Sequence, residues 1–397
     1  MQFFKDLSLS TAIAGAMAVL VGFTSSVALV FQAALAFGGT PAQITSWIWA
    51  LGIGVGLCTL LPSLVLRQPF MVAWSTPGSA VLAAAGMAGS FGMGEAVGAF
   101  MVSALLIIIA GTTGWFERVM NRIPLEIASA LLAGVLARFG MDAFIAAQTN
   151  LPLVLALLTT YLVARRWLPR YAVVCVASIG VVWVTVSGQM HGEMMPFALA
   201  IPQFTVPHFS VQAFMSLALP LFIVTMTSQN LPGVAVMRAT GYHLPVSRLL
   251  TLTGLATLLL APFGAFALNF GAVTAAMCMG PQSHPDPKRR YTATAIFGAL
   301  YLAIALFAAV VVGVLAIFPK ELIAAIAGLA LLTTISAGLA TALADEGHRE
   351  AALITFLVTL SGVTLVGIGS AFWGVAAGCM ALAVQYVGKA RSLSKKT

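Results

Sequence analysis

Fourteen apolar runs, separated by proline, glycine or basic clusters, follow one another along 397 residues and leave little polar chain between them. They lie at about 7–37, 42–66, 69–88, 95–115, 124–141, 151–164 and 171–187. After a polar, proline-punctuated stretch at 191–210 they resume at 212–237, 247–260, 262–280, 292–317, 322–343, 351–367 and 371–387. A helix crosses the hydrocarbon of a bilayer in about 20 residues. Only 8% of the residues are charged, against about 25% in a soluble domain. That excludes a soluble globular enzyme, and the wealth of apolar sequence excludes disorder. The chain reads as an all-α polytopic membrane protein with 14 transmembrane segments, the sixth run being short. The first run is too long for the apolar part of a signal peptide and is read as a span.

The basic residues test the count independently. With both termini in the cytoplasm, inner connections hold Lys5, Arg67, Arg118, Arg122, Arg165, Arg166, Arg170, Arg238, Arg248, Lys288, Arg289, Arg290, Arg349, Lys389, Arg391, Lys395 and Lys396. Only Arg138 and Lys320 fall elsewhere, and the outer connections carry Glu95, Asp142, Glu193 and Glu321. This is the positive-inside bias, and it assigns the formal charge of +8 to topology rather than to nucleic acid. Seven spans per half is an odd number, so two halves of like fold are inverted relative to each other, a transporter signature. The expected repeats are 1–190 and 211–397, joined by 191–210.

The third and tenth runs are interrupted alike. One reads Gln68-Pro69-Phe70-Met71-Val72-Ala73-Trp74-Ser75-Thr76-Pro77-Gly78-Ser79, the other Ala261-Pro262-Phe263-Gly264-Ala265-Phe266-Ala267-Leu268-Asn269-Phe270-Gly271. Each opens on Pro-Phe, continues with a short β-prone stretch, and passes through a polar residue and a glycine into small residues. Thr76 suits an N-cap with Pro77 at the first helical position, and Asn269 is the comparable N-cap candidate. The extended stretches in segments 3 and 10 must be buried in protein or line a cavity. Two half-helices would then aim their N-termini, each with about half a positive charge and free N–H donors, at one centre. Either span alone reads better as an ordinary kinked helix; the matching positions in the two halves favour a site.

Other polar residues are few. Gln229 and Asn230 on the eighth span serve either as helix–helix glue or as an amide contact to substrate. Thr24, Ser25, Ser26 and Gln32 on the first span rank second, because hydroxyls there more often serve packing. Arg138 and Asp142, four residues apart, read better as an interfacial ion pair than as a relay. Glu126 complements a helix start. The four cysteines are isolated, and His284 with Asp286 is too small a set for a metal, so no metal or cofactor is expected.

The segments Ala73-Trp74-Ser75-Thr76-Pro77-Gly78, Pro169-Arg170-Tyr171-Ala172-Val173, Leu219-Pro220-Leu221-Phe222 through Ser228-Gln229-Asn230, His284-Pro285-Asp286, and Leu365-Val366-Gly367-Ile368-Gly369-Ser370-Ala371-Phe372-Trp373-Gly374 resemble those of the benzoate/proton symporter (BenE) family, over essentially the whole chain. That family is thought to share its architecture with nucleobase–ascorbate transporters such as the uracil permease. The resemblance implies a core domain (7–115 and 211–317) and a gate domain (122–188 and 320–388), the latter often a dimer contact. Substrate would lie between the half-helices, beside the eighth span. It implicates Ser75, Thr76, Gly78, Ser79, Gln229, Asn230, Asn269, Phe270 and Gly271, with Trp74, Ser25 and Ser26 in second rank. Where nucleobase carriers typically place two glutamates, this chain has Gln229 and Ala272. An incoming carboxylate therefore avoids a repulsion of about 4 kcal/mol at ~4 Å, but proton coupling is left without a named carrier.

The expected function is secondary active transport of benzoate or a similar aromatic carboxylate by proton symport and alternating access, in an inner membrane. The alternatives are a carrier or exporter of another small anion or of a nucleobase-like substrate, and a channel. No nucleophile–base constellation indicates an enzyme, because the five histidines (191, 208, 243, 284 and 348) lie in connections or at span ends. No GxxxxGK[ST] loop indicates an ATP-driven pump.

Overall fold

Each apolar run contains helix in the computed structural model, which describes residues 2–24, 26–88, 91–114, 125–189, 199–281, 283–363, 365 and 370–394. Ser25, Arg118, Arg122, His191 and Glu193 lie outside the described residues. The first half holds α1 (Leu9–Thr24), α2 (Val27–Ala36), α3 (Pro41–Leu66), α4 (Thr76–Met87), α5 (Met93–Thr112), α6 (Leu125–Ile145), α7 (Leu151–Trp167) and α8 (Ala172–Val186). The second holds α9 (Val211–Arg238), α10 (Val246–Leu260), α11 (Val273–Met279), α12 (Tyr291–Leu306), α13 (Ala308–Ile317), α14 (Lys320–Ala342), α15 (Arg349–Ser361) and α16 (Ser370–Ser394). Among the described residues seven helices are long and apolar enough to cross a bilayer, or eight if the pair bent by 68° at α12–α13 counts as one. Leu57, Leu61, Val65, Ile109, Leu162, Val182, Val186 and Leu259 are exposed on helix flanks. Apolar surface of that extent is stable only against lipid.

Packing exchanges the halves. The second run (α3) lies along the eleventh (α12), the fourth (α5) along the ninth (α10), and the fifth (α6) along the twelfth (α14). Small residues permit this closeness. A Cβ at Gly56 would meet the Gly298 carbonyl oxygen at 2.9 Å, and a Cβ at Gly298 would meet the Gly56 oxygen at the same distance.

At the centre the third and tenth runs form a two-stranded antiparallel ribbon. β1 (Val72–Trp74) pairs with β2 (Leu268–Phe270) in the register Val72↔Phe270, Ala73↔Asn269 and Trp74↔Leu268. The extended backbone beside the ribbon finds partners on neighbouring helices. Val72 N–H donates to Thr59 Oγ1 of α3 (2.9 Å), and Leu268 N–H donates to Thr257 Oγ1 of α10 (3.2 Å). Phe270 N–H donates to Asn230 Oδ1 of α9 (2.9 Å), and Gly271 N–H donates to the Met71 carbonyl (2.9 Å). Gly264, in the approach to β2, has φ +102°, and a Cβ there would collide with the Trp47 indole.

The basic cluster after the tenth run does more than mark topology. Arg290 is 7% exposed and donates to the carbonyls of Met279 (2.9 Å), His284 (2.7 Å) and Pro285 (3.3 Å). Met279 is the last residue of α11, so the guanidinium satisfies that helix end and complements its dipole. Hydrogen bonds to a charged group contribute about 1.5–3 kcal/mol each. Arg290→Met is expected to lower stability by about 2–4 kcal/mol, read as a fall in detergent melting temperature, whereas substitution of exposed Arg289 shifts it by less than a quarter of that.

Candidate functional site

Two helices begin beside the ribbon. Ser75, not Thr76, is the N-cap of α4: its Oγ accepts from Gly78 N–H (2.9 Å) and receives the Thr225 hydroxyl of α9 (3.3 Å). Proline is tolerated anywhere in a first turn that needs no N–H donor, so Pro77 allows the cap to sit one residue earlier than the Thr-Pro pair suggests. Asn269 caps no helix. Strand pairing draws its backbone into β2, and α11 starts at Val273 after Ala272. The Asn269 side chain instead turns back, donating to the Ala267 carbonyl (2.9 Å). Ala267 holds φ +43°, unusual for a residue with a Cβ.

α9 packs beside these helix starts. It carries π-helical turns at Phe214–Ala218 and Met226–Asn230, each ending two residues before a proline, Pro220 or Pro232. A proline clashes with the carbonyl four residues back, and a wider turn relieves the clash. Such turns often mark functional positions. The second one separates two neighbours. Asn230 is fully buried and holds the ribbon, while Gln229 reaches a cavity.

That cavity, of about 440 Å³, lies between the ribbon with its helix starts and a wall built from α7, α8 and α14. The ribbon side contributes Ala73, Trp74, Thr76, Pro77, Gly271, Ala272 and Thr274, and α12 adds Phe297 and Tyr301. The opposite wall contributes Arg165, Pro169, Val173, Leu331, Thr333 and Thr334. Trp74 is locked in place. Its Nε1–H donates to Ser26 Oγ (2.8 Å), and its ring meets Phe23 and Tyr301 edge-on at 5.7 and 5.4 Å. Phe297 and Tyr301 lie 4.7 Å apart. Within this aromatic frame the side chains of Thr76, Gln229, Thr274, Tyr301 and Thr334 make no hydrogen bond to another described residue, leaving donors available to a guest. No carboxylate lines the space among the described residues.

Of the residues singled out from sequence, Trp74, Thr76, Gln229, Gly271 and Ser26 line this cavity together. Ser75, Gly78, Ser79, Asn230, Asn269 and Phe270 are buried in the support around it. A Cβ at Gly78 would meet Leu221 at 2.7 Å, so that glycine lets α4 approach α9. Arg138 and Asp142 form no ion pair in the structure, contrary to the sequence reading, and neither lines the cavity. Glu126, Asp345 and His348 converge within 4.8 Å of one another, with no member in the cavity wall.

The whole chain, and not only its site, has relatives. Residues 5–384 match the family described as benzoate membrane transport protein (BenE). The chain belongs to this family. It is 45% identical to the inner membrane protein YdcO of Escherichia coli K12, covering 93% of this chain and 94% of that protein. It is 37% identical to the benzoate membrane transport protein of Acinetobacter baylyi ADP1, covering 95% of each. Among solved structures the fold is similar to the transmembrane domain of the cyanobacterial bicarbonate transporter BicA (TM-score 0.58, 17% identity, 95% of this chain and 96% of that one). It is also similar to SLC26A9 (TM-score 0.56, 14% identity, 95% and 65%). This member of the BenE family is thus a multi-pass membrane transporter and not an enzyme.

Sequence reasoning did not place Tyr301, Phe297, Thr333 or Arg165 at the site. The aromatic pair at 297 and 301 shares a helix face by its spacing, but only the packing of α12 on α3 and α1 turns that face toward the ribbon. The two glycines should now part company. Gly78→Val is expected to lower the melting temperature through its clash with Leu221. Gly271→Ala, whose Cβ would lie 3.2 Å from Met71 Cγ beside the cavity, should still insert while its thermal-shift response to small aromatic acids falls.

Proposed function

We propose that the protein is a secondary carrier for benzoate or a similar aromatic carboxylate, taken up with a proton by alternating access. The observation that carries this reading is the cavity itself: aromatic walls for a flat ring, unpaired neutral donors for a carboxylate, and no acidic side chain to repel it. The start of α4 adds the positive end of a helix dipole at Thr76 and Pro77. The name of the Acinetobacter relative supports benzoate as the substrate. Bicarbonate, the cargo in the name of the BicA fold neighbour, lacks a ring and would leave the Trp74–Tyr301–Phe297 frame without a role.

In this reading fourteen segments form two inverted repeats, supported by the exchange of partners between the second and eleventh and the fourth and ninth runs. The ribbon, its helix starts and α9 belong to the core domain, and α6–α8 with α14–α16 form the gate, which also supplies a dimer contact. Both termini lie in the cytoplasm by the distribution of basic residues. In this reading the exposed side of the cavity, at Arg165 and Pro169, faces inward.

Purified protein in liposomes is expected to accumulate labelled benzoate when an inward acid gradient is imposed, with saturation and with abolition by a protonophore. Flux indifferent to the gradient would remove the proton-coupled version, and conductance without saturation would favour a channel. Tyr301→Phe, which deletes one unpaired donor and keeps the ring, is expected to raise KM for benzoate about 5–15-fold, the cost of one hydrogen bond to an anion.

A further inference from the structure

The cavity has one charged side chain among its described lining residues, Arg165 in the last turn of α7. The positive-inside pattern accounts for an arginine in this connection but not for its placement. Arg165 and its neighbour Arg166 are both exposed, but Arg165 and not Arg166 borders this cavity. There its Nη1–H donates to Thr333 Oγ1 of α14 (2.7 Å), which also meets the Tyr161 hydroxyl at 3.4 Å. A guanidinium carries five N–H donors in a planar fork suited to a carboxylate. No acidic group stands within ion-pair distance of Arg165 among the described residues. Thr333 therefore holds the fork in place without neutralising its charge.

The position matters as much as the charge. The helix starts and the free donors of Thr76, Gln229, Thr274 and Tyr301 are on the ribbon side, whereas Arg165 is fixed to the opposite wall through α7 and α14. The two sets of groups line the same cavity from opposite sides. At a solvated mouth one cation raises the local concentration of anions and is screened by salt. The ribbon side has no side-chain charge with which to do this.

We propose that Arg165 is the specificity-determining cation of this transporter, capturing the substrate's carboxylate at the cavity mouth and holding it against the ribbon-side donors. This rests on the reading that the cavity takes an organic anion. The test is benzoate uptake in proteoliposomes, together with thermal shifts on the same preparations. Arg165→Gln is expected to raise KM for benzoate at least tenfold at low ionic strength, with maximal rate changed less than threefold, and to remove most of the salt dependence of KM. Arg165→Lys keeps the charge and should recover at least half of that loss on a logarithmic scale. Arg166→Gln should match the unmodified protein. Thr333→Val removes the anchor and keeps the charge, so its loss should be clearly smaller than that of Arg165→Gln. A KM in Arg165→Gln within threefold of the parent, or an equal loss in Thr333→Val, would overturn the assignment. Should the parent protein carry no benzoate, the substrate reading fails separately. Thermal shifts with salicylate, bicarbonate and chloride then decide: an anion-induced shift lost in Arg165→Gln upholds the role of Arg165, and one retained there or absent from both overturns it.

Discussion

A peptide group inside a bilayer has no water to turn to, and the central ribbon places several of them there. Each buried amide left without a partner costs about 1–3 kcal/mol, and the cost is higher where hydrocarbon surrounds it. β1 and β2 solve part of the problem by pairing with each other. Thr59, Thr257 and Asn230, from three different helices, solve the rest. The α3–α12 and α5–α10 packing follows from this arrangement, because it brings α3 and α10 against the ribbon from either side.

The same solution frees the helix starts for other work. Ser75 takes up the Gly78 amide through its hydroxyl and the Ser79 amide through its carbonyl, while Thr76 and Pro77 open onto the cavity. On the ribbon side, polarity comes from neutral groups set in a rigid aromatic frame, and the charge of Arg165 stands on the opposite, exposed wall. Such an arrangement releases an anion more readily than one that pairs it with a buried charge, since both the cost of desolvation and the strength of attraction fall together. That balance suits a carrier, which must bind and let go in every cycle. The locked Trp74 indole keeps the frame from collapsing when the space is empty of a guest.

The fold was legible wherever a whole segment had to answer to the bilayer. Apolar runs marked the helices, Pro-Phe marked both interruptions, and the β-prone residues after it marked the strands. What escaped was anything decided by a single side chain meeting another run. Ser75 rather than Thr76 caps α4, because Thr225 reaches it across a helix interface. Asn269 is drawn into β2 by Ala73, a partner from the other half of the chain. Nothing in the sequence sets Thr59 and Thr257 apart from other membrane-helix hydroxyls, which usually bond back to their own helix, as Thr257 also does to Thr253. Of the candidate site, the ribbon and its surroundings were visible through Trp74, Thr76, Gln229 and Gly271. The facing wall was not, since Arg165 and Thr333 are brought together only by the packing of α7 on α14.

The pairing of Val72–Trp74 with Leu268–Phe270 also has a consequence for biogenesis. A nascent chain that has delivered its first seven segments to the membrane holds a strand whose mate is still inside the ribosome. Until the tenth segment arrives, that open edge must be shielded by something else, whether a provisional fold of the first half or the insertion machinery itself. Assembly then includes the closing of a zipper between the two halves of the polypeptide, and a carrier interrupted before it would be left unfinished at its very heart.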